Sequence, residues 1–281
     1  MYFIRIICGK IKNMKLAFGN KTLIMGILNV TPDSFYDGGK YNLIDRALRR
    51  AEEILSEGAD IIDIGGESTR PGSDPVSVHE EMERVLPVIE KLKDFPIPIS
   101  IDTYKSEVAE EACKLGATII NDISGLQFDS RIAEIAKKYD TYLIIMHIKG
   151  TPKNMQKDPH YEDVVSEIIE FLKKQSDYAL EKGIPKDKII IDPGIGFGKT
   201  LEHNLTILKN LGEFRKLNFP ILIGHSRKSM IGALLGGVAP EERLFGTLGV
   251  SAYLISKRVD IIRVHDVKPH FELRKVLESI L

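Results

Sequence analysis

Nine polar residues stand where short apolar runs end or in the turns just beyond them: Asn29, Asp33, Arg70, Asp102, Asn121, Asp192, Lys228, Arg263 and His265. One group suits phosphate. Arg70, Arg263 and His265 are joined by the Asn29 amide and the Ser68 and Thr69 hydroxyls. In the segment RVHD, strand alternation puts Arg263 and His265 on the same side, so both can face one anion. Taken singly, Arg263 could equally pair with a carboxylate on a neighbouring strand, and a lone histidine is more often structural than catalytic. Two such groups ending one strand, with a second arginine on a glycine-rich loop, favour the anion.

The second group is acidic and amidic. Asp102, Asn121 and Asp192 end strongly apolar runs, and a carboxylate buried there costs free energy unless it is paired or hydrogen-bonded. A flat heterocycle with adjacent N–H donors and a carbonyl would supply the partners, with Asp192 accepting two parallel bonds. Lys228, directly after IGHSR, could donate to the ring's acceptors. Asp63 and Asp122 occupy similar run ends, but for them pairing with Lys or Arg inside the fold is the expectation.

Two motifs offer competing chemistry and fail on composition. PGIGFGKT (193–200) ends like a phosphate-binding P-loop, yet Pro193 stands where GxxxxGK[ST] needs its first glycine. Lys199 also takes the third glycine position of GxGxxG, so a strand-to-helix turn is the simpler reading. GHSRK (224–228) approaches the nucleophile elbow GxSxG but ends in Lys228. No fitting acid–histidine pair accompanies it.

The elements that must position these residues follow from a repeated rhythm. Eight apolar runs stop in GILNVTPDSF (26–35), DIGGESTR (63–70), ISID (99–102), IINDI (119–123), IIMH (144–147), IIIDPGIGFGK (189–199), LIGHSRKS (222–229) and IIRVHD (261–266). Helical stretches separate them, at 43–57, 77–92, 104–114, 129–138, 162–182, 201–211 and 241–256, with a last one at 267–280. Continuous Ile/Val/Leu runs alternating with helices imply parallel strands buried on both faces. Eight such units predict a single-domain (β/α)8 TIM barrel of class α/β over residues 21–281, with every candidate residue at one mouth. Residues 31–42 and 66–76 are long connections on that face, where lids and ligand contacts usually lie.

Composition agrees with a compact soluble enzyme. The 281 residues are 43% hydrophobic with a formal net charge of −1, which leaves no electrostatic footprint for nucleic acid or an anionic membrane. Cys8 and Cys113 form no metal or disulfide pattern, so a reducing cytoplasm is expected. MYFIRIICGKI is interrupted by Arg5 and lacks a cleavage site; residues 1–20 read as an extension, an added strand or a cap on the barrel bottom. No run approaches a membrane span.

The ordered set NVTPDSFYDGG, GGESTRPG, IDTYKSEV, IINDISG, DPGIGFGK, SRKSMIG and IIRVHDV, from about residue 20 to the end, resembles the dihydropteroate synthase family. The resemblance implies condensation of 6-hydroxymethyl-7,8-dihydropterin pyrophosphate with 4-aminobenzoate to give 7,8-dihydropteroate and pyrophosphate. It assigns Asp102, Asn121, Asp192 and Lys228 to the pterin. Asn29, Thr69, Arg70, Arg263 and His265 would hold the pyrophosphate, with Mg2+ bridging its oxygens and Asn29. The aminobenzoate would touch Phe35, Thr69, Pro71, Phe197, Ser226 and Lys228. Asp33, Asp102 and Lys228 would carry the catalysis, in a monofunctional chain that forms a homodimer.

The chemistry is consistent with that assignment. Breaking the methylene–oxygen bond develops positive charge on the pterin carbon and negative charge on the departing pyrophosphate, so acids and bases must flank one bond. Closing residues 31–42 and 66–76 over it would exclude competing water. The alternatives are a pterin-dependent methyltransferase module serving a corrinoid partner, which has no use for SRKS with Arg263 and His265, and a non-catalytic pterin-binding protein, which would have lost the complete loop motifs.

Overall fold

The structure, a computed structural model, describes residues 15–31 and 40–281, with side chains from residue 43 onward in the second stretch. Strands and helices alternate from the first element: β1 (Leu23–Asn29), α1 (Lys40–Ser56), β2 (Ile61–Gly65), α2 (Val78–Leu92), β3 (Ile99–Asp102), α3 (Ser106–Leu115), β4 (Ile119–Asp122) and α4 (Ile132–Tyr139). They continue as β5 (Tyr142–Met146), α5 (Val164–Glu181), β6 (Ile189–Asp192), α6 (Leu201–Lys209), α7 (Leu211–Arg215), β7 (Leu222–Gly224), α8 (Ser229–Leu234), α9 (Leu244–Ser256), β8 (Ile261–Val264) and α10 (Val267–Glu278). All the strand pairings are parallel, and the spatial order β6-β5-β4-β3-β2-β1-β8-β7 is that of the predicted barrel. The barrel closes between β6 and β7 through a single bridge, Ile191 to Ile221.

Two apolar layers follow from the two faces of each strand. Outward residues such as Ile24, Ile62, Ile101, Ile120, Leu143, Ile191 and Ile262 join the helices in the main core. Ala47, Ala51 and Ile54 of α1 are fully buried against it, as the helical spacing predicts. Inward residues of the first strand halves, among them Met25, Ile61, Ile119, Ile144, Ile190 and Leu222, plug the bottom of the barrel. Leu16 and Phe18 lie against that plug, and the Leu16 N–H donates to the Tyr142 hydroxyl at 2.9 Å.

Helix ends carry the chemistry that the boundaries require. Ser77 accepts from the Glu80 N–H, Asp163 from Val165 and Ser166, and Thr200 with His203 forms a reciprocal cap on α6. The stretch expected as one helix at 201–211 ends at Lys209 and restarts as α7, with Asn210 at the break. Sequence periodicity also missed α8, a six-residue helix opened by Lys228.

Candidate active site

Above the apolar plug, five of the strands carry polar side chains at their next inward positions. Asp63, Asp102, Asn121, Asp192 and Arg263 share the inward parity of their strands, and Asp102 on β3 is in register with Asn121 on β4 and with Gly65 on β2. Arg263 ties this floor together. Its Nε donates to Asp63 Oδ2 and its Nη2 to Asp102 Oδ2, both at 2.6 Å. Asp63 Oδ2 also accepts from Asn121 Nδ2 at 3.1 Å, and Asp192 Oδ1 accepts from the Gly194 N–H at 2.7 Å. Gly65 and Gly224 stand where side chains would fill the hollow: a Cβ at Gly65 would lie 3.5 Å from Asp102 Cβ, and one at Gly224 would lie 4.0 Å from Asp192 Oδ2.

Burial sets the charge states. It pushes Asp102 up to about 7 against the pull of Arg263, with the neighbouring Asp63 carboxylate adding to the rise. Asp192 is also raised by burial, opposed by Lys228. Lys228 is drawn down to about 7 by desolvation, although Asp192 favours its ammonium form. Burial also works against charge on Arg263, but its two carboxylates outweigh it and hold the guanidinium firmly protonated.

The basic side of the mouth is built from β8 and the loop after β2. Burial brings His265 down to about 3, helped by Arg263, Arg227 and Arg70, so without an anion its imidazole is neutral. Ser226 Oγ accepts from the His265 backbone N–H at 3.2 Å and lies 3.0 Å from its Nδ1. The hydroxyl can donate to Nδ1 or accept from it, so the contact holds the ring in place with either tautomer. Arg70 is exposed and Thr69 half-buried on their loop. The loop is anchored across the mouth by Gly72 N–H to the Pro152 carbonyl at 2.9 Å and by Lys153 to Asp74 at 2.7 Å. At its root, Glu67 accepts from Tyr104, Lys105 and the Val76 N–H.

Lys228 and Phe197 form the third wall. The Lys228 ammonium donates to the Ile195 carbonyl and sits 4.1 Å from the Phe197 ring centre. Phe197 belongs to a small apolar cluster with Ile123, Met146, Ile148 and Met155. Arg227, with φ +56, turns outward between Ser226 and Lys228 and holds both Asp266 oxygens, which fixes its neighbours toward the mouth. With Asp266 so occupied, the Ser226–His265 contact has no acid behind it among the described residues and makes no hydrolase triad there.

The glycine-rich turn serves packing. Gly194 has φ +71, and a Cβ there would collide with the His147 carbonyl oxygen. Lys199 points back into the protein, 3% exposed, to His147 Nδ1 and the Phe197 carbonyl, both at 3.0 Å. Desolvation drives its pKa well down, and His147 is held neutral near 2 by the same cause. Such a lysine cannot cradle a nucleotide, in agreement with the reading as a turn.

The structure therefore brings Asp102, Asn121, Asp192, Lys228, Arg263, His265, Ser226 and Phe197 to one mouth, with Asn29 ending β1 beside Gly65. Asp33 and Phe35 lie outside the described residues, and Pro71 is exposed on its loop. Asp63 pairs inside the barrel as expected, but Asp122 does not. It belongs to the outward parity of β4, and its carboxylate accepts from the Ser124 N–H, the Ser124 hydroxyl and the Leu126 N–H, each at 2.7 Å. The turn's own donors satisfy it, and the spacing Asp-x-Ser was the signal for such a turn. Sequence reasoning also missed the Lys105–Glu67 anchor and the Lys199–His147 pair, whose partners are distant in the chain.

A barrel with an acidic, amide-bearing floor beside a basic rim defines a binder of polar heterocycles that carry an anion. The chain belongs to the family described as pterin binding enzyme, which residues 25–265 match. It is 48% identical over 259 residues to the dihydropteroate synthase of Escherichia coli K12, covering 92% of this chain and 91% of that one. Among solved structures, the Clostridium difficile dihydropteroate synthase crystallised with pteroic acid superposes with a TM-score of 0.88 at 48% identity, covering 94% of this chain and 98% of that one. The Xanthomonas albilineans enzyme with 4-aminobenzoic acid gives 0.87 at 39% identity, with 92% and 93% covered.

Proposed function

We propose that the protein is a transferase that condenses 6-hydroxymethyl-7,8-dihydropterin pyrophosphate with 4-aminobenzoate, giving 7,8-dihydropteroate and pyrophosphate. The observation that carries this reading is the juxtaposition of Asp102, Asn121 and Asp192 with Arg263 and His265 at one mouth. After their internal bonds, the two carboxylates and the amide each keep an oxygen uncommitted among the described residues. The ring's N–H groups would donate to them, and Lys228 would donate to a ring acceptor. Arg70, Thr69, Asn29, Arg263 and the His265 ring would receive the diphosphate.

The methylene–oxygen bond breaks with its electron pair leaving on pyrophosphate. The carbon left behind is cationic and conjugated to the ring, and the ionised forms of Asp102 and Asp192 favour it. The aryl amine then forms the new carbon–nitrogen bond and loses a proton to solvent. Phe197, Pro71 and the methyl of Thr69 would flank the benzoate ring, and Ser226 and Lys228 would receive its carboxylate.

Asn29 fits the part assigned to a magnesium site. Its side chain ends β1 half-buried, with no bond to another described residue, and offers a hard oxygen. Mg2+ is commonly held by one or two protein oxygens plus substrate phosphates and water. Bound there it would supply charge neutralisation on the leaving pyrophosphate.

The remaining parts of the reading concern the whole chain. A homodimer fits α9, whose sequence LFGTLGVSAYLIS has no charged residue and which leaves Phe245 83% and Tyr253 37% exposed. A cytoplasmic setting fits the free, buried Cys113. The relatives favour the synthase over a methyltransferase module. The test is pyrophosphate release by the purified protein with Mg2+ and the dihydropterin pyrophosphate. Release that requires 4-aminobenzoate and stops with a sulfonamide supports the synthase; pterin binding with no release overturns it.

A further inference from the structure

Asp63 is wholly buried at the centre of the barrel, below the groups assigned to the substrates, and one of its oxygens binds two of those groups at once. Asp63 Oδ2 accepts from Asn121 Nδ2 at 3.1 Å and from Arg263 Nε at 2.6 Å. The first bond has a direct consequence. A carboxylate oxygen can only accept, so the Asn121 amide must turn its NH2 down to Asp63 and its carbonyl oxygen the other way. The second bond holds the guanidinium edge-on, so that Nη2 meets Asp102 at 2.6 Å.

We propose that Asp63 is a positioning residue that makes the barrel floor an all-acceptor surface and sets how much positive charge Arg263 shows to the rim. This rests on the function proposed above. With Asn121 turned by Asp63, the free atoms on the floor are oxygens of Asp102, Asn121 and Asp192, a pattern that selects a ring edge rich in N–H donors over one rich in lone pairs. Without Asp63 the amide is free to rotate, and in the rotated state its NH2 faces the ring's N–H groups with no acceptor to offer. In the second role, Asp63 and Asp102 both flank one guanidinium. Removing a negative charge from that trio leaves the floor less able to favour a pterin cation and more attractive to diphosphate.

The two roles separate by substitution. Asp63→Ala removes both the acceptor and the charge, whereas Asp63→Asn, nearly isosteric, keeps an acceptor for Asn121 and Arg263 and removes only the charge. The readouts are binding of 6-hydroxymethylpterin, which has no phosphate, and of pyrophosphate with Mg2+, for the native protein and both variants. For Asp63→Ala, pterin affinity should fall about tenfold or more. For Asp63→Asn it should stay within about threefold of native, while pyrophosphate binds several-fold tighter and kcat falls. Equal pterin losses in both variants, or unchanged or weaker pyrophosphate binding in Asp63→Asn, overturn the proposal. If Asp63→Ala does not fold, the pyrophosphate and pterin affinities of Asp63→Asn decide alone. Failure of the native protein to bind either probe would instead remove the function on which the proposal rests.

Discussion

At the scale of single residues, the site works by holding charges where water would not leave them. Asp102 is pushed up to about 7 by burial, so near neutrality its charge depends on pH. A group whose folded pKa is raised is protonated below that value, and protonated Asp102 cannot favour a developing pterin cation. We therefore expect kcat/KM for the pterin substrate to fall as pH drops through about 7. Asp102→Asn should lower kcat by roughly tenfold or more and abolish that limb; pH–rate profiles of both proteins check this, and a variant that keeps the limb contradicts it. The acids and bases of the mouth were legible as residue types ending apolar runs. The structure adds a link between the two groups, because Arg263 bonds Asp63 and Asp102 directly while standing two residues from His265. Parity along one strand is readable from sequence; which oxygen a guanidinium reaches across the barrel is not.

At the scale of elements, loops after strands decide the shape of the mouth, and their glycines explain why. The turn after β6 runs so close to the end of β5 that Gly194 meets the His147 carbonyl, and its φ of +71 adds a backbone that side chains resist. Gly194→Ala should cost about 1–2 kcal/mol from conformation alone, with more from the collision. It should also displace Asp192, whose carboxylate is held by the Gly194 N–H. The expected result is a lowered melting temperature together with a weakened pterin KM, measured on the same preparation. A variant with native melting and native KM would show that the turn tolerates a side chain. The eight-unit alternation was readable because strands buried on both faces write continuous Ile/Val/Leu runs. The break at Asn210 and the short α8 were not, since helices of five or six residues carry less than two turns of periodicity.

At the scale of the whole molecule, large apolar side chains stand exposed together around α8 and α9. Leu234 and Leu235 close α8 at 53% and 46% exposed, and Phe245 at the start of α9 is 83% exposed. Monomeric surfaces rarely group large apolar side chains this way. Phe245→Glu is expected to convert the dimer proposed above to monomer, read by light scattering after size exclusion, with melting of the barrel itself little changed. A native protein that is already monomeric would end the dimer reading.

The closure of the barrel carries a further consequence for its motions. Seven strand pairs are zipped by continuous ladders, but β6 and β7 meet through one bridge and the Ile191 N–H to Pro220 carbonyl bond. Asp192 and Gly224 end the strands on either side of that seam. A flat ring lodged between them would act as a staple, bonded on one side and packed on the other. In deuterium exchange, amides of β6 and β7 should open sooner than those of β1 and β2, and a pterin should slow them most. The ligand would then complete the cylinder as well as react within it.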